Sequence, residues 1–225
     1  MLPLAKSVLW FCALFLGAGL AFADDHDVAI AIVYDTSGSM NDAAKGRDAS
    51  GEPKYVVANR ALGAIVTRLE TFAKTGKRKL QTGLFIFQDK GSKEVVKLGP
   101  FDPAALRAWL AGFSRPVGGT PLGTAVADAA QALMKTKAGA RHVLVITDGE
   151  NTVGPLPEAL LPKVLDDART HSAPVYFHFV AFDVDARVFA EVKKLGVTLA
   201  SAGDEAQLND KISFILEEKI LLEKE

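Results

Sequence analysis

Residues 28–34, Val-Ala-Ile-Ala-Ile-Val-Tyr, are apolar at seven consecutive positions and rich in β-branched side chains. A strand with one wet face alternates apolar and polar residues. A strand that does not alternate needs cover on both faces, which is the situation of a central strand in a parallel sheet flanked by helices. The run is therefore assigned to a central strand, and the rest of the chain must provide strands beside it and helices above and below.

It does so by regular alternation. Strand patterns recur at 80–87 (LQTGLFIF), 94–99 (EVVKLG), 141–147 (RHVLVIT), 174–182 (PVYFHFVAF) and 197–202 (VTLASA). Helical patterns lie between them. From Lys54, Val57, Ala61, Ala64, Ile65 and Leu69 form an apolar stripe at helical spacing. Residues 103–113, 120–136 and 156–171 also read as helices, with Pro121 in a first turn. A short helix is expected around 185–195. A last one starts at Asp204, a capping residue followed by an acidic first turn, and runs to the end. The polar link 88–93 is short and contains Gly91, so the strands on either side of it form a hairpin and one of them is antiparallel. Residues 41–53 are polar and Gly-rich, a loop. The fold class that follows is α/β: a doubly wound, mostly parallel, Rossmann-like sheet with one antiparallel edge strand and helices on both faces. With 225 residues, 49% of them hydrophobic, the chain suits one domain with a sizeable core.

The first 23 residues are read as standing apart from that domain, which then occupies 24–225. Lys6 precedes an apolar stretch from Ser7 to Leu20, and Ala21-Phe22-Ala23 is a small-x-small site ahead of Asp24-Asp25-His26-Asp27, the layout of a secretory signal peptide cleaved after Ala23. An uncleaved membrane anchor is the alternative, for which the apolar run is somewhat short. The only cysteine, Cys12, falls inside this segment and lacks the surroundings of a lipoprotein signal, so a mature chain has neither a disulfide nor a thiolate metal site. With Lys6 gone from the 26 basic residues, the 27 acidic ones outnumber them by two. Nothing in that balance points to nucleic acid or to an anionic membrane. The protein is expected in the periplasm or secreted, as a monomer with no membrane span after cleavage.

In a doubly wound sheet, ligands sit beyond the carboxyl ends of the strands, where the winding reverses. The polar residues of interest fall there. Asp35, Ser37 and Ser39 follow the first strand in "DTSGSM"; Thr120 stands on the Gly-rich loop "VGGTPLGTA"; Asp148 follows a later strand in "ITDGEN". Two carboxylates and three hydroxyls, without imidazole or thiolate, suit a hard divalent cation: Mg²⁺ first, Mn²⁺ or Ca²⁺ next. Alternate residues of a tight turn can aim at one centre, with Gly38 relaxing the backbone between them. Taken alone, Asp-x-Ser-x-Ser is equally a set of good turn and cap residues.

The three segments together resemble the metal-ion-dependent adhesion site of von Willebrand factor type A domains, bacterial secreted or periplasmic members included. The resemblance covers residues 27 to 222. It implies that Asp35, Ser37, Ser39, Thr120 and Asp148 hold Mg²⁺, with the hydroxyls binding directly and the carboxylates partly through water. One position is then left for a Glu or Asp of a partner protein, and no catalytic group is needed. Asn41 and Asp42 lie where integrin-type relatives hold an adjacent metal, but with one carboxylate there a solvated loop is expected. Asp42, Glu150 and Asn151 are weaker candidates for a partner-binding rim.

The competing class is an Mg²⁺-dependent hydrolase or phosphatase. A haloacid-dehalogenase-type enzyme needs a second aspartate where Ser37 stands. The Gly118–Gly123 stretch has Thr124 and Ala125 in place of the Lys and Ser/Thr of a nucleotide-binding loop, and Gly-x-Gly-x-x-Gly and Gly-x-Ser-x-Gly do not occur after the leader. A scaffold that does not use its metal is a third possibility. His26, His142, His171 and His178 show no ligand spacing and are read as structural; charges such as Glu217-Glu218-Lys219 are read as a solvated helix face.

Overall fold

The computed structural model describes residues 27–45 and 51–221. Residues 1–23, read above as a signal peptide and containing Cys12, and His26 lie outside the described residues. Six strands, β1 (Val28–Tyr34), β2 (Leu80–Gln88), β3 (Gly91–Pro100), β4 (Ala140–Thr147), β5 (Tyr176–Phe182) and β6 (Thr198–Ala202), form one sheet in the order β3-β2-β1-β4-β5-β6. All neighbours are parallel except β2 and β3. The sheet is thus mostly parallel with one antiparallel edge strand, as the sequence pattern requires.

All seven residues of β1 are fully buried, and successive side chains enter opposite cores. Val28, Ile30, Ile32 and Tyr34 pack with α1 (Lys54–Lys74), α2 (Pro103–Gly112) and α6 (Glu205–Ile215). Ala29, Ala31 and Val33 pack with α3 (Leu122–Met134) and α4 (Pro157–Thr170). The second face of β1 is lined by small residues, and α3 meets it with Ala125, Ala129 and Ala130, all fully buried. A helix with small side chains can lie close to a strand with small side chains. Each fully buried Val, Leu or Ile in these layers contributes about 1.5–3 kcal/mol relative to exposure.

Several boundaries differ from the sequence reading. The hairpin turn is tighter, with only Asp89 and Lys90 between β2 and β3, and Asp89 adopts φ 52°. In α1, Ala58, Leu62 and Val66 join Val57, Ala61, Ile65 and Leu69 in the core, whereas Ala64 is only half-buried. The apolar face is thus wider than the stripe read from the sequence. Pro121 precedes α3 as its cap residue rather than lying in its first turn. The short helix near 185–195 divides into a 3-10 turn (Ala186–Phe189) and α5 (Ala190–Lys193). The last helix is regular only to Ile215 and widens into a π-helical turn over Leu216–Ile220. The caps at Asp102 and Asp204 are formed, their carboxylates accepting from the Ala105 and Gln207 amides at 2.9 and 2.8 Å.

Gly123, in the first turn of α3, is where the chain can tolerate no side chain. A Cβ there would lie 2.2 Å from the Pro155 carbonyl oxygen and 2.8 Å from Leu156 C and Pro157 N, all backbone atoms. His142 on β4 and His178 on β5 are buried side by side, with Nδ1 of the first 3.0 Å from Nε2 of the second. Burial holds both below the ordinary histidine value: His142 at about 3, with the His178 and Arg78 charges adding, and His178 at about 4, with Lys219 adding.

Two outcomes follow. Gly123→Ala should destabilise the fold by about 2 kcal/mol or more, because the backbone of residues 155–157 must move, as read by urea denaturation. Because both histidines bind protons more weakly folded than unfolded, their contribution to stability is lost as pH falls below about 6.5 towards 4, on the order of 2 kcal/mol per histidine. The urea midpoint should therefore fall less steeply over that window in His142→Leu/His178→Leu than in wild type.

Candidate functional site

β1 and β4 are adjacent, and the winding direction reverses between them. Their parallel register pairs Tyr34 with Ile146. The Asp35 amide donates to the Ile146 carbonyl at 3.0 Å, so the ladder continues one residue beyond the strand. Asp35 and Asp148 consequently leave the same edge of the sheet side by side.

Asp35 is fully buried. One carboxylate oxygen accepts from the Ser37 amide at 2.8 Å and the other from the Thr147 hydroxyl at 2.5 Å. Burial pushes its carboxyl up to about 6; the hydrogen bonds from Ser37 and Thr147 oppose that rise, and the Asp148 charge adds to it. Residues Gly38–Asn41 form one 3-10 turn that turns Ser39 outwards. Ser37 Oγ lies 3.0 Å from Ser39 Oγ, and Ser39 Oγ donates to Asp148 Oδ1 at 2.8 Å.

The Gly-rich loop is clipped against this turn by backbone. Gly38 N donates to Gly118 O at 2.9 Å, and Val117 N to Thr36 O at 2.8 Å. Gly118 takes φ +90°, a left-handed conformation that glycine adopts without strain. Gly38 itself needs no such freedom. A Cβ on it would lie 3.4 Å from the Gly118 oxygen, so its place depends on close approach rather than on the unusual backbone that the sequence suggested. Asn41, expected in a solvated loop, instead donates its side-chain amide to Gly38 O at 3.0 Å and Pro116 O at 2.9 Å, fastening the two loops together. Thr120 is buried, its amide accepted by the Thr152 hydroxyl at 2.8 Å while the Thr152 amide donates back to Thr120 O at 2.9 Å.

The structure thus brings the loops of Asp35, Ser37, Ser39, Thr120 and Asp148 to one end of the sheet. Around them Asp42 and Glu150 are exposed. Asn151 is committed to its own neighbourhood: its carbonyl accepts from Gly123 N at 2.9 Å, and its NH₂ donates to Val153 O and Gly154 O. Val117, 69% exposed, stands beside the site, and a cleft of about 190 Å³ lined by Leu122, Glu150, Leu156, Glu158 and Phe189 opens next to it.

Two residues were missed. Lys54, read only as the start of a helix, is 5% exposed and reaches Asp148 Oδ2 at 2.9 Å and Asp183 Oδ2 at 3.5 Å. Burial would lower its pKa, but the hydrogen bond and charge of Asp148, then those of Asp183, raise it. Asp183 directly follows β5 as Asp35 follows β1 and Asp148 follows β4, and that repeated strand–Asp pattern was available in "AFDVD". Nothing in the sequence marks Lys54.

Among the described residues no group of three or more His, Cys, Asp or Glu side chains is arranged to hold a metal ion, so an ion here would depend on the hydroxyls. Octahedral coordination at 2.0–2.1 Å places neighbouring ligand oxygens about 2.9 Å apart, and the Ser37–Ser39 and Ser39–Asp148 spacings of 3.0 and 2.8 Å fit two such edges.

The model of the von Willebrand factor type A domain family matches residues 29–214. Comparison with curated proteins returned no significant match. Among solved structures, a D319A mutant of the PilB minor pilin from Streptococcus sanguinis aligns at TM-score 0.61 and 14% identity, over 84% of this chain and 60% of its own. The pilus adhesin SpaC from Lactobacillus rhamnosus GG aligns at 0.61 and 13%, over 83% of this chain and 30% of its own. The SpRpn10 VWA domain aligns at 0.61 and 13%, over 82% and 93%. The chain therefore spans less than two thirds of the pilin and under a third of the adhesin, and nearly the whole of the SpRpn10 domain. Matched across most of its length by the family model and sharing the fold of these structures, the chain belongs to the von Willebrand factor type A domain family.

Proposed function

We propose that this domain is a metal-dependent protein-binding module, holding Mg²⁺ on Asp35, Ser37, Ser39, Thr120 and Asp148 and capturing a Glu or Asp of a partner protein through it. VWA domains commonly serve as protein-interaction or adhesion modules and often bind a divalent metal. The observation that supports the reading for this chain is the convergence of Ser37 Oγ, Ser39 Oγ and Asp148 Oδ1, joined in series by contacts of 3.0 and 2.8 Å. Mn²⁺ accepts the same donors at similar distances, and Ca²⁺ accepts them with longer bonds.

The cation would supply a positive centre that an incoming carboxylate can complete. The remaining work belongs to this chain. The neutral hydroxyls of Ser37, Ser39 and Thr120 offer lone pairs without cancelling charge. Asp35, tied by the Ser37 amide and the Thr147 hydroxyl, holds the turn in place and sets negative charge beneath it. Exposed Ser39 and Val117 leave the approach open. Exposed Asp42 and Glu150 stand at the rim to meet the partner, with Asn151 fixing the loop next to Glu150.

In this reading the protein is a single domain over 24–225 that works in the periplasm or after secretion, released by cleavage behind Ala23. A minor pilin and a pilus adhesin among the structural neighbours are in keeping with an extracytoplasmic setting. Among the described residues no helix is long and apolar enough to cross a membrane.

Saturating Mg²⁺ at about a hundred times its Kd should add about 2.7 kcal/mol and raise the melting temperature by about 5 °C or more. Ser37→Ala should keep the fold and lose that increment; a wild-type melting curve indifferent to Mg²⁺ removes the metal. For the partner, affinity capture from a cell-envelope extract should recover proteins in Mg²⁺ that are missing in EDTA and with Asp35→Ala. Recovery of the same set in all three overturns carboxylate capture through the metal, and Mg²⁺-dependent turnover of a phosphoester would instead favour a hydrolase.

A further inference from the structure

Lys54 opens α1, and its ammonium reaches across to the ends of two strands, 2.9 Å from Asp148 Oδ2 on the β4 side and 3.5 Å from Asp183 Oδ2 on the β5 side. All three side chains are withdrawn from water, with at most 9% of any of them exposed. A surface ion pair would be screened and worth little, whereas here each partner depends on the others for its charge to be tolerated. Asp183 is held in place by more than this pair. Its backbone takes φ 52°, its amide donates to Ala202 O at 2.7 Å, and its carboxylate accepts from the Lys45 amide at 3.3 Å.

The consequence falls on Asp148. Its Oδ1 accepts from Ser39 and its Oδ2 from Lys54, so each oxygen has a donor within the chain. Asp35 and Asp148 carry two negative charges, enough to neutralise a divalent cation completely. A neutralised ion has little attraction left for an acidic partner. An ammonium on Asp148 Oδ2 changes that balance, and Asp183 decides how much of the ammonium's charge Asp148 feels.

Resting on the metal reading above, we propose that Lys54 is an internal counter-cation of the metal site. It positions Asp148 through Oδ2 and withholds part of the Asp148 charge from the ion. Metal affinity is thereby lowered, and the bound ion keeps positive charge for a partner's carboxylate. Asp183 is the tuning residue of the same device.

The test is Mg²⁺ affinity by titration calorimetry on the full chain, with folding checked by circular dichroism. Lys54→Met removes one positive charge from the neighbourhood of the ion and should tighten Mg²⁺ binding about tenfold. Lys54→Arg keeps the charge and should stay within about twofold of wild type. Asp183→Asn leaves the ammonium wholly to Asp148 and should weaken binding several-fold. Unchanged or weaker binding by Lys54→Met, or tightening by Lys54→Arg to the same degree, overturns the proposal. Should Lys54→Met fail to fold, Asp183→Asn decides, and unchanged or tighter binding by that variant overturns it. A wild-type chain that binds no Mg²⁺ is a different result, since it removes the metal reading and Lys54's role with it.

Discussion

β1 lies between β2 and β4 and under helices on both faces, so none of its seven side chains reaches solvent. A strand confined in this way can serve as a frame but cannot itself carry polar function. The first position released from that constraint is Asp35, immediately past the strand. Because the Asp35 amide still pairs with Ile146 on β4, the direction in which the chain leaves the sheet is set by the β1–β4 ladder. Asp148 emerges two residues beyond Ile146, and the two carboxylates stand together as a consequence of strand pairing rather than of any attraction between them.

The loops that bring in the hydroxyls are held mostly by main chain. Gly38 to Gly118, Val117 to Thr36 and the reciprocal Thr120–Thr152 pair use none of the side-chain oxygens proposed as ion ligands. Asn41 fastens the same two loops through Gly38 O and Pro116 O. A site held by backbone contacts loses less conformational freedom on binding, and more of its interaction energy is left for the ligand. The close approach at Gly123 extends this order outwards, fixing the loop of residues 155–157 against α3.

Charge at this edge is tolerated only because it is shared. Asp35 has two hydrogen-bond donors in the protein, Asp148 has Ser39 and Lys54, and Asp183 has Lys45 N and Lys54. An unpaired carboxylate at this depth would cost several kcal/mol. Three strand ends each bearing an aspartate therefore need a buried cation somewhere in the fold, and α1 begins with one.

Much was legible in the sequence because it was local or periodic. The unbroken run at 28–34 required two covering layers; the alternation after it required a mostly parallel sheet; the short link with Gly91 required one antiparallel strand. Asp35, Ser37, Ser39, Thr120 and Asp148 were legible as a group because each follows or precedes a recognisable element, and the rule for doubly wound sheets puts such positions at one edge. Register and strand order were not legible, since they depend on which surfaces fit across the sheet. They put His142 against His178, 36 residues apart, and the packing of α1 on the sheet puts Lys54 against Asp148, 94 residues apart. The sequence by itself determined which polar residues fall at one end of the sheet, because hydrophobic periodicity leaves the strand ends as the places for polar groups. Only the tertiary structure decided that Lys54 stands between Asp148 and Asp183, because a lysine's partner is chosen by packing and not by its neighbours in the chain.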